Sequence, residues 1–148
     1  MRIAGHGRSV DVPRGWEARI YQRPGAAPVL HVATVLLRDD DGDFGAAATA
    51  RMRPDDMFAA LLEFRGDDRV APGRGLFAAA RMGPLRAGEF APNQLQVTRP
   101  GQLGRQRFFT QAGRPLCLYA VIAPGRKRAA LLAAELGAVL ATVRLPPD

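Results

Sequence analysis

The apolar positions of this chain fall in short blocks separated by Gly, Pro and acidic residues, a spacing that predicts mostly strands. Ser9-Val10-Asp11-Val12 leads into the turn Pro13-Arg14-Gly15. The segment from Trp16 to Arg23 then alternates, with Trp16, Ala18 and Ile20 on one face and Glu17, Arg19 and Tyr21 on the other. Together these segments predict an N-terminal hairpin. Beyond the break at Pro24–Pro28, residues 29–37 are nearly continuously apolar and rich in β-branched side chains, as in a central strand. Residues 44–52 predict a short Ala-rich helix that stops near Pro54. Residues 57–64 suit either a helix capped by Asp55 or a buried strand; the run is short for a helix, which favours strand.

The second half repeats the pattern more plainly. Residues 65–93 carry the loop signals Gly66, Pro72, Gly73, Gly75, Gly83, Pro84, Gly88 and Pro92, and only residues 76–80 look regular. Residues 94–98 alternate polar and apolar, Pro100-Gly101 is a turn, and residues 106–110 and 115–122 predict a hairpin joined through Gln111-Ala112-Gly113-Arg114. Leu132, Leu136, Val139, Leu140 and Val143 then recur at helical spacing, a stripe that packs a terminal helix on a sheet. The expected class is α+β: a mainly antiparallel sheet flanked by helices, an α/β/α sandwich, with the C-terminal helix on the sheet. We expect one domain over residues 1–148, with residues 65–93 as a long Gly/Pro-rich connection inside it.

Composition narrows the chemistry more than it narrows the fold. The 148 residues are 47% hydrophobic and 24% charged, which fits a globular chain. No apolar run approaches the roughly 18 residues of a membrane helix, and the opening residues lack the apolar core of a secretory signal, so we expect a cytoplasmic protein without membrane contact. Cys117 stands alone, which excludes an internal disulfide and a thiolate-built zinc site. The net charge of +7 is uneven: residues 1–38 carry +4, residues 39–68 carry −6 and residues 69–148 carry +9. The acidic middle would repel phosphate unless it folded to the far side.

Few side chains are available for catalysis. Ser9 is the only Ser and has no nucleophile-elbow context, while Cys117 and His31 each lie inside apolar strand sequence. Both read as core residues, His31 with a hydrogen-bond partner. Asp39-Asp40-Asp41-Gly42-Asp43 invites a calcium reading. An EF-hand loop starting at Asp39 would put Phe44 and Ala50 where Gly and Glu are needed, and one starting at Asp41 would put Ala46 and Met52 there. A solvated acidic loop is the expectation. Gly73-Arg74-Gly75 lacks the remaining parts of any phosphate loop, and no cofactor is expected. Asp55 and Asp56 would point to opposite faces of a strand and so could not form a close dyad.

Val12-Pro13-Arg14-Gly15-Trp16, Phe108-Phe109, Gly113-Arg114, Leu118-Tyr119 and Ala138-Val139-Leu140-Ala141-Thr142-Val143 resemble stretches of the PsbP-like α/β/α sandwich family. That family includes a photosystem extrinsic subunit and a nuclear-import factor that binds a small GTPase. The whole also resembles small actinobacterial proteins of unassigned activity. The resemblance implies the sandwich fold and transfers neither role, because a fold does not carry its function with it.

The leading expectation is a non-enzymatic interaction or adaptor domain, acting on a protein partner or a second copy. Apolar residues in the long connection, Leu76 and Phe77 first, would serve as anchors. The alternative is nucleic-acid binding, with Arg105 and Arg107 on one strand face, Arg114 nearby, and Phe108 or Phe109 stacking on a base. Arg126, Lys127 and Arg128 at the start of the terminal helix belong to the same nucleic-acid set, and they also form a basic tip for an anion or an acidic partner. A third class, an enzyme or small-ligand carrier, would draw on His31, Asp55, Asp56 and Glu63.

Overall fold

The computed structural model describes residues 1–64 and 71–146. Seven strands and two α-helices follow the order β1 (Arg2–Gly5), β2 (Arg8–Asp11), β3 (Glu17–Tyr21), β4 (Val29–Ala33), α1 (Ala46–Ala50), β5 (Met57–Glu63), β6 (Leu103–Gln111), β7 (Arg114–Ile122) and α2 (Ala129–Leu140). Strands β3 to β7 form one sheet in the order β3-β4-β5-β7-β6, antiparallel at every step, and β1 and β2 form a separate ribbon. The class is α+β, as the pattern predicted. One layer beside the sheet is α2 with the ribbon. The other is the five-residue α1 with the loops around it.

The run 57–64 forms a strand over Met57–Glu63. Met57, Ala59 and Leu61 face α2, while Phe58, Ala60 and Leu62 face α1, so every side chain from Met57 to Leu62 is buried. A strand covered on both faces loses the alternation that marks a half-exposed one, which is why its sequence also reads as a helix. Strand β7 is covered in the same way, with Leu116, Leu118, Ala120 and Ile122 on one side and Tyr119 and Val121 on the other. Among the described residues, no helix is long and apolar enough to cross a membrane.

Three expectations are corrected. The N-terminal hairpin is not built around Pro13-Arg14-Gly15. Strand β2 pairs with β1 through His6-Gly7, both at positive φ (49° and 80°), the backbone a two-residue hairpin turn needs. Pro13–Gly15 instead links this ribbon to the main sheet, where β3 pairs with β4. The run 29–37 stops being strand at Ala33, because Thr34 diverts the chain. Its Oγ1 donates to Asp56 Oδ1 (2.7 Å) and accepts from Met57 N (2.9 Å). Residues 94–98 form no strand either. Pro92–Gln94 is a 3-10 turn, and the Gln94 side chain replaces the ladder by accepting Gln106 N at its Oε1 (2.9 Å). The edge of β6 is thereby partly closed by a side chain.

The described part of the long connection, from residue 71 onward, straps over β6. Phe77 packs edge-on against Phe108 and beside Phe64. Ala79, Met82, Leu85, Ala87 and Phe90 pack with the α2-side core, and Leu95 reaches the opposite core. Residues 65–70 of the expected connection lie outside the described residues.

Gly45 shows how tightly α1 seats. It precedes the helix at φ 70°, and a Cβ there would run into the buried Phe58 ring. Gly45→Ala combines a left-handed backbone with overpacking, so it should destabilise the fold by about 3 kcal/mol in urea unfolding. A loss below about 0.5 kcal/mol would show that α1 shifts freely on the sheet.

Candidate functional site

The two side chains most able to act as base and nucleophile are both inside the sheet. His31 is fully buried on β4, with Tyr21 and Phe58 packed edge-on at ring separations of 5.4 and 5.1 Å. Its Nε2 lies 2.8 Å from Asp43 O, an acceptor, so Nε2 carries the proton and Nδ1 is the bare nitrogen, buried without a partner among the described residues. Burial pushes the His31 pKa down from the ordinary imidazole range, against a smaller upward pull from the Asp43 carbonyl bond. Cys117 is likewise fully buried, and burial pushes its thiol up to about 12, which leaves it protonated and unreactive at neutral pH. Neither lines any of the five hollows described in this structure.

The acidic loop is not simply solvated. Asp41 is buried and accepts from Arg38 N (2.7 Å) and Arg51 Nη1 (2.8 Å). Burial alone would raise its carboxyl, but the Arg51 and Arg38 bonds outweigh that and hold it below the usual carboxylate range. Asp43 accepts from the Tyr21 hydroxyl (2.7 Å) and Arg23 Nε (3.2 Å), while Arg19 and Arg23 lie over the Tyr21 ring. Burial, with the neighbouring Asp43 carboxylate, raises the Tyr21 pKa. These contacts pin the loop after β4 across the sheet. Among the described residues, no group of three His, Cys, Asp or Glu side chains is placed to hold a metal ion.

The expected contact residues are scattered. Leu76 is 64% exposed, but Phe77 is 4% exposed within the Phe64–Phe108 cluster and is no surface anchor. Arg105 and Arg107 share the α2 face of β6, and both hold the strap. Arg105 Nη2 donates to Glu89 Oε2 (2.9 Å) and Arg107 Nη2 to Arg81 O (3.1 Å). Phe109 is fully buried on that face, while Phe108 lies on the other in the aromatic cluster. Arg126, Lys127 and Arg128 are exposed at the start of α2. Asp55, held at φ 73°, already occupies this tip. Its Oδ1 accepts from Gly125 N (3.0 Å) and Lys127 N (2.9 Å), and Lys127 Nζ pairs with Glu135 (3.3 Å). Asp55 therefore caps a loop, and Asp56 holds Thr34 and Arg53 N, so the two form no acid–base dyad.

Sequence reasoning missed two features. Arg8 is buried at the end of β2, its side chain 1% exposed, and donates to Glu63 Oε1 (3.2 Å); Arg114 Nη1 donates to the same carboxylate (3.1 Å). The signal was Arg8 beginning a strand whose alternate residue, Val10, is core. The second is the ground around Trp16. A hollow of about 500 Å³ lies between Trp16 and α2, lined by Asp11, Val12, Pro13, Glu135, Ala138 and Val139 among others. A second, of about 400 Å³, shares Val12, Pro13 and Trp16 with it and reaches Ile3, Arg14 and Glu17.

Comparison of the chain with protein-family models, with curated proteins and with solved structures gave no match, so the PsbP-like resemblance rests on its short sequence motifs.

The His31 pocket sets a pH dependence. With its imidazolium disfavoured by burial, the folded chain binds fewer protons than the unfolded chain below about pH 6.5, so stability falls as the pH drops through that value. Asp41, depressed in the fold, adds a second loss below about pH 4. His31→Gln keeps an N–H for Asp43 O and should flatten the urea midpoint between pH 7 and 5. An unchanged slope in that variant would assign the pH dependence elsewhere.

Proposed function

We propose that the protein is a PsbP-like, non-enzymatic interaction domain of the cytoplasm, and that its contact surface is the ground around Trp16. The observation that carries this reading is one half-buried indole that lines two open hollows, one of them against α2. Trp at the centre of such a surface supplies a large rigid contact area, and a few residues of this kind dominate binding energy. The burial of His31 and Cys117 supports binding over catalysis, since neither is placed to meet a substrate.

The rim favours a second copy as the occupant. It carries Asp11, Glu17 and Glu135 with Arg14 beside them, so two copies related by a two-fold axis would set acid against base across an apolar centre. The nucleic-acid reading draws less support, because Arg105 and Arg107 are each engaged in holding the strap, at Glu89 and at Arg81 O.

Sedimentation velocity over a concentration series tests this. The wild-type chain should form dimers, and Ala138→Arg, at an exposed α2 position that lines the larger hollow, should weaken the dimer at least ten-fold without changing the melting temperature. A wild-type chain that stays strictly monomeric at high concentration, or a dimer indifferent to Ala138→Arg, would overturn the proposal.

A further inference from the structure

On the opposite side of α2 from Trp16, two adjoining hollows share Arg144. The larger, about 520 Å³, lies between α2 and the strap at residues 81–85. Its walls are largely apolar, from Met82, Pro84, Leu85 and Leu140, with Arg81 and Arg144 also in the lining. The smaller, about 230 Å³, is of mixed character and is lined by Arg2, Arg8, Ser9 and Arg144 together with Gly5 and Gly7. Four arginines thus line the pair, and neither lining contains an Asp or Glu.

Arg8 makes this more than a solvated basic rim. Its guanidinium is buried, and its Nε and Nη1 meet no acceptor among the described residues. There it shares the carboxylate of Glu63 with the half-buried Arg114, so two guanidinium groups face one acid within the described residues. A buried cation without full pairing is costly, and a nearby anion offsets it. Arg144 is held ready for such an anion. Its Nη1 donates to Ala141 O and Val143 O (both 3.1 Å), which fixes the guanidinium while Nη2 makes no bond within the described residues.

We infer that this pair of hollows binds a small amphipathic carboxylate, its apolar body between α2 and the strap and its carboxylate at Arg144 beside Arg8. The site is independent of the Trp16 surface, which lies across the helix, so a monomeric chain would leave it standing.

Isothermal titration separates the contributions, using decanoate below its aggregation threshold as the probe, decanol for the apolar body alone and inorganic phosphate for the charge alone. Decanoate should bind once per chain and at least ten-fold more tightly than either control. Arg144→Gln should weaken decanoate ten-fold or more and bring it close to decanol. Ala134→Trp, at an exposed position that lines the larger hollow, should block decanoate while the far-ultraviolet circular dichroism and melting temperature stay as in the wild type. The inference fails if decanoate does not bind, if decanol binds as well as decanoate, if phosphate alone matches it, or if both variants bind decanoate normally.

Discussion

Two strands with no solvent-facing side constrain the rest of this fold. β5 and β7 lie side by side in the sheet, and both bury their side chains on each face. A single covering layer would leave Phe58, Tyr119 and Val121, or Leu61, Leu118 and Ile122, in water. At about 1.5–3 kcal/mol per large apolar side chain, either exposure would cost an amount comparable to the net stability of an ordinary domain. The chain therefore has to supply two covers from few elements. α2 with the ribbon forms one. The other has only the single turn of α1, and loops pinned by polar contacts supply the remainder.

That shortage explains why so much polar chemistry is spent inside the molecule. Loops have no regular ladder to hold them, so Arg51, Arg19 and Tyr21 tie down the segment after β4, and Arg105, Arg107 and Thr110 tie down the strap. Thr110 Oγ1 donates to Phe77 O (2.7 Å) and accepts from Gly73 N (2.7 Å), so one hydroxyl anchors two points of the connection. Groups that look like binding residues in the sequence are used in this way as fasteners. The formal charge of the C-terminal part accordingly overstates the charge it presents to a partner.

The same division sets what the sequence could convey. Strand β7 and helix α2 were legible because local pattern and final environment agree. The hairpin turn was legible from Gly113; Ala112 takes a positive φ beside it, a backbone that Gly adopts freely and Ala does not. β1 was not legible: Arg2-Ile3-Ala4-Gly5 is a short strand with little periodicity, and it exists because β2 needs a partner. Residues 94–98 misled in the other direction, since Gln94, Gln96 and Val97 alternate for reasons local to a turn. Gln94 bonds β6 with its side chain, Gln96 N donates to the Tyr119 hydroxyl (2.8 Å), and Val97 is exposed. Phe77 was visible as apolar but not as buried, because its partners Phe64 and Phe108 lie 13 and 31 residues away in the chain.

The long-range contacts also explain where the candidate surfaces fall. The segment after α2 returns to the ribbon. Ser9 and Arg144 exchange two backbone bonds (3.0 and 2.9 Å), and Thr142 Oγ1 accepts Asp11 N (2.9 Å). Helix and ribbon thus form one cover, but a helix and a twisted two-stranded ribbon cannot tile a sheet without leaving grooves at their margins. The larger Trp16 hollow opens on one margin of α2 and the larger arginine-lined hollow on the other. Such margins are where a covered sheet can still offer shape. Trp16 makes one of them sticky and Arg8 makes the other electropositive, so the two surfaces differ in chemistry while sharing a single structural origin.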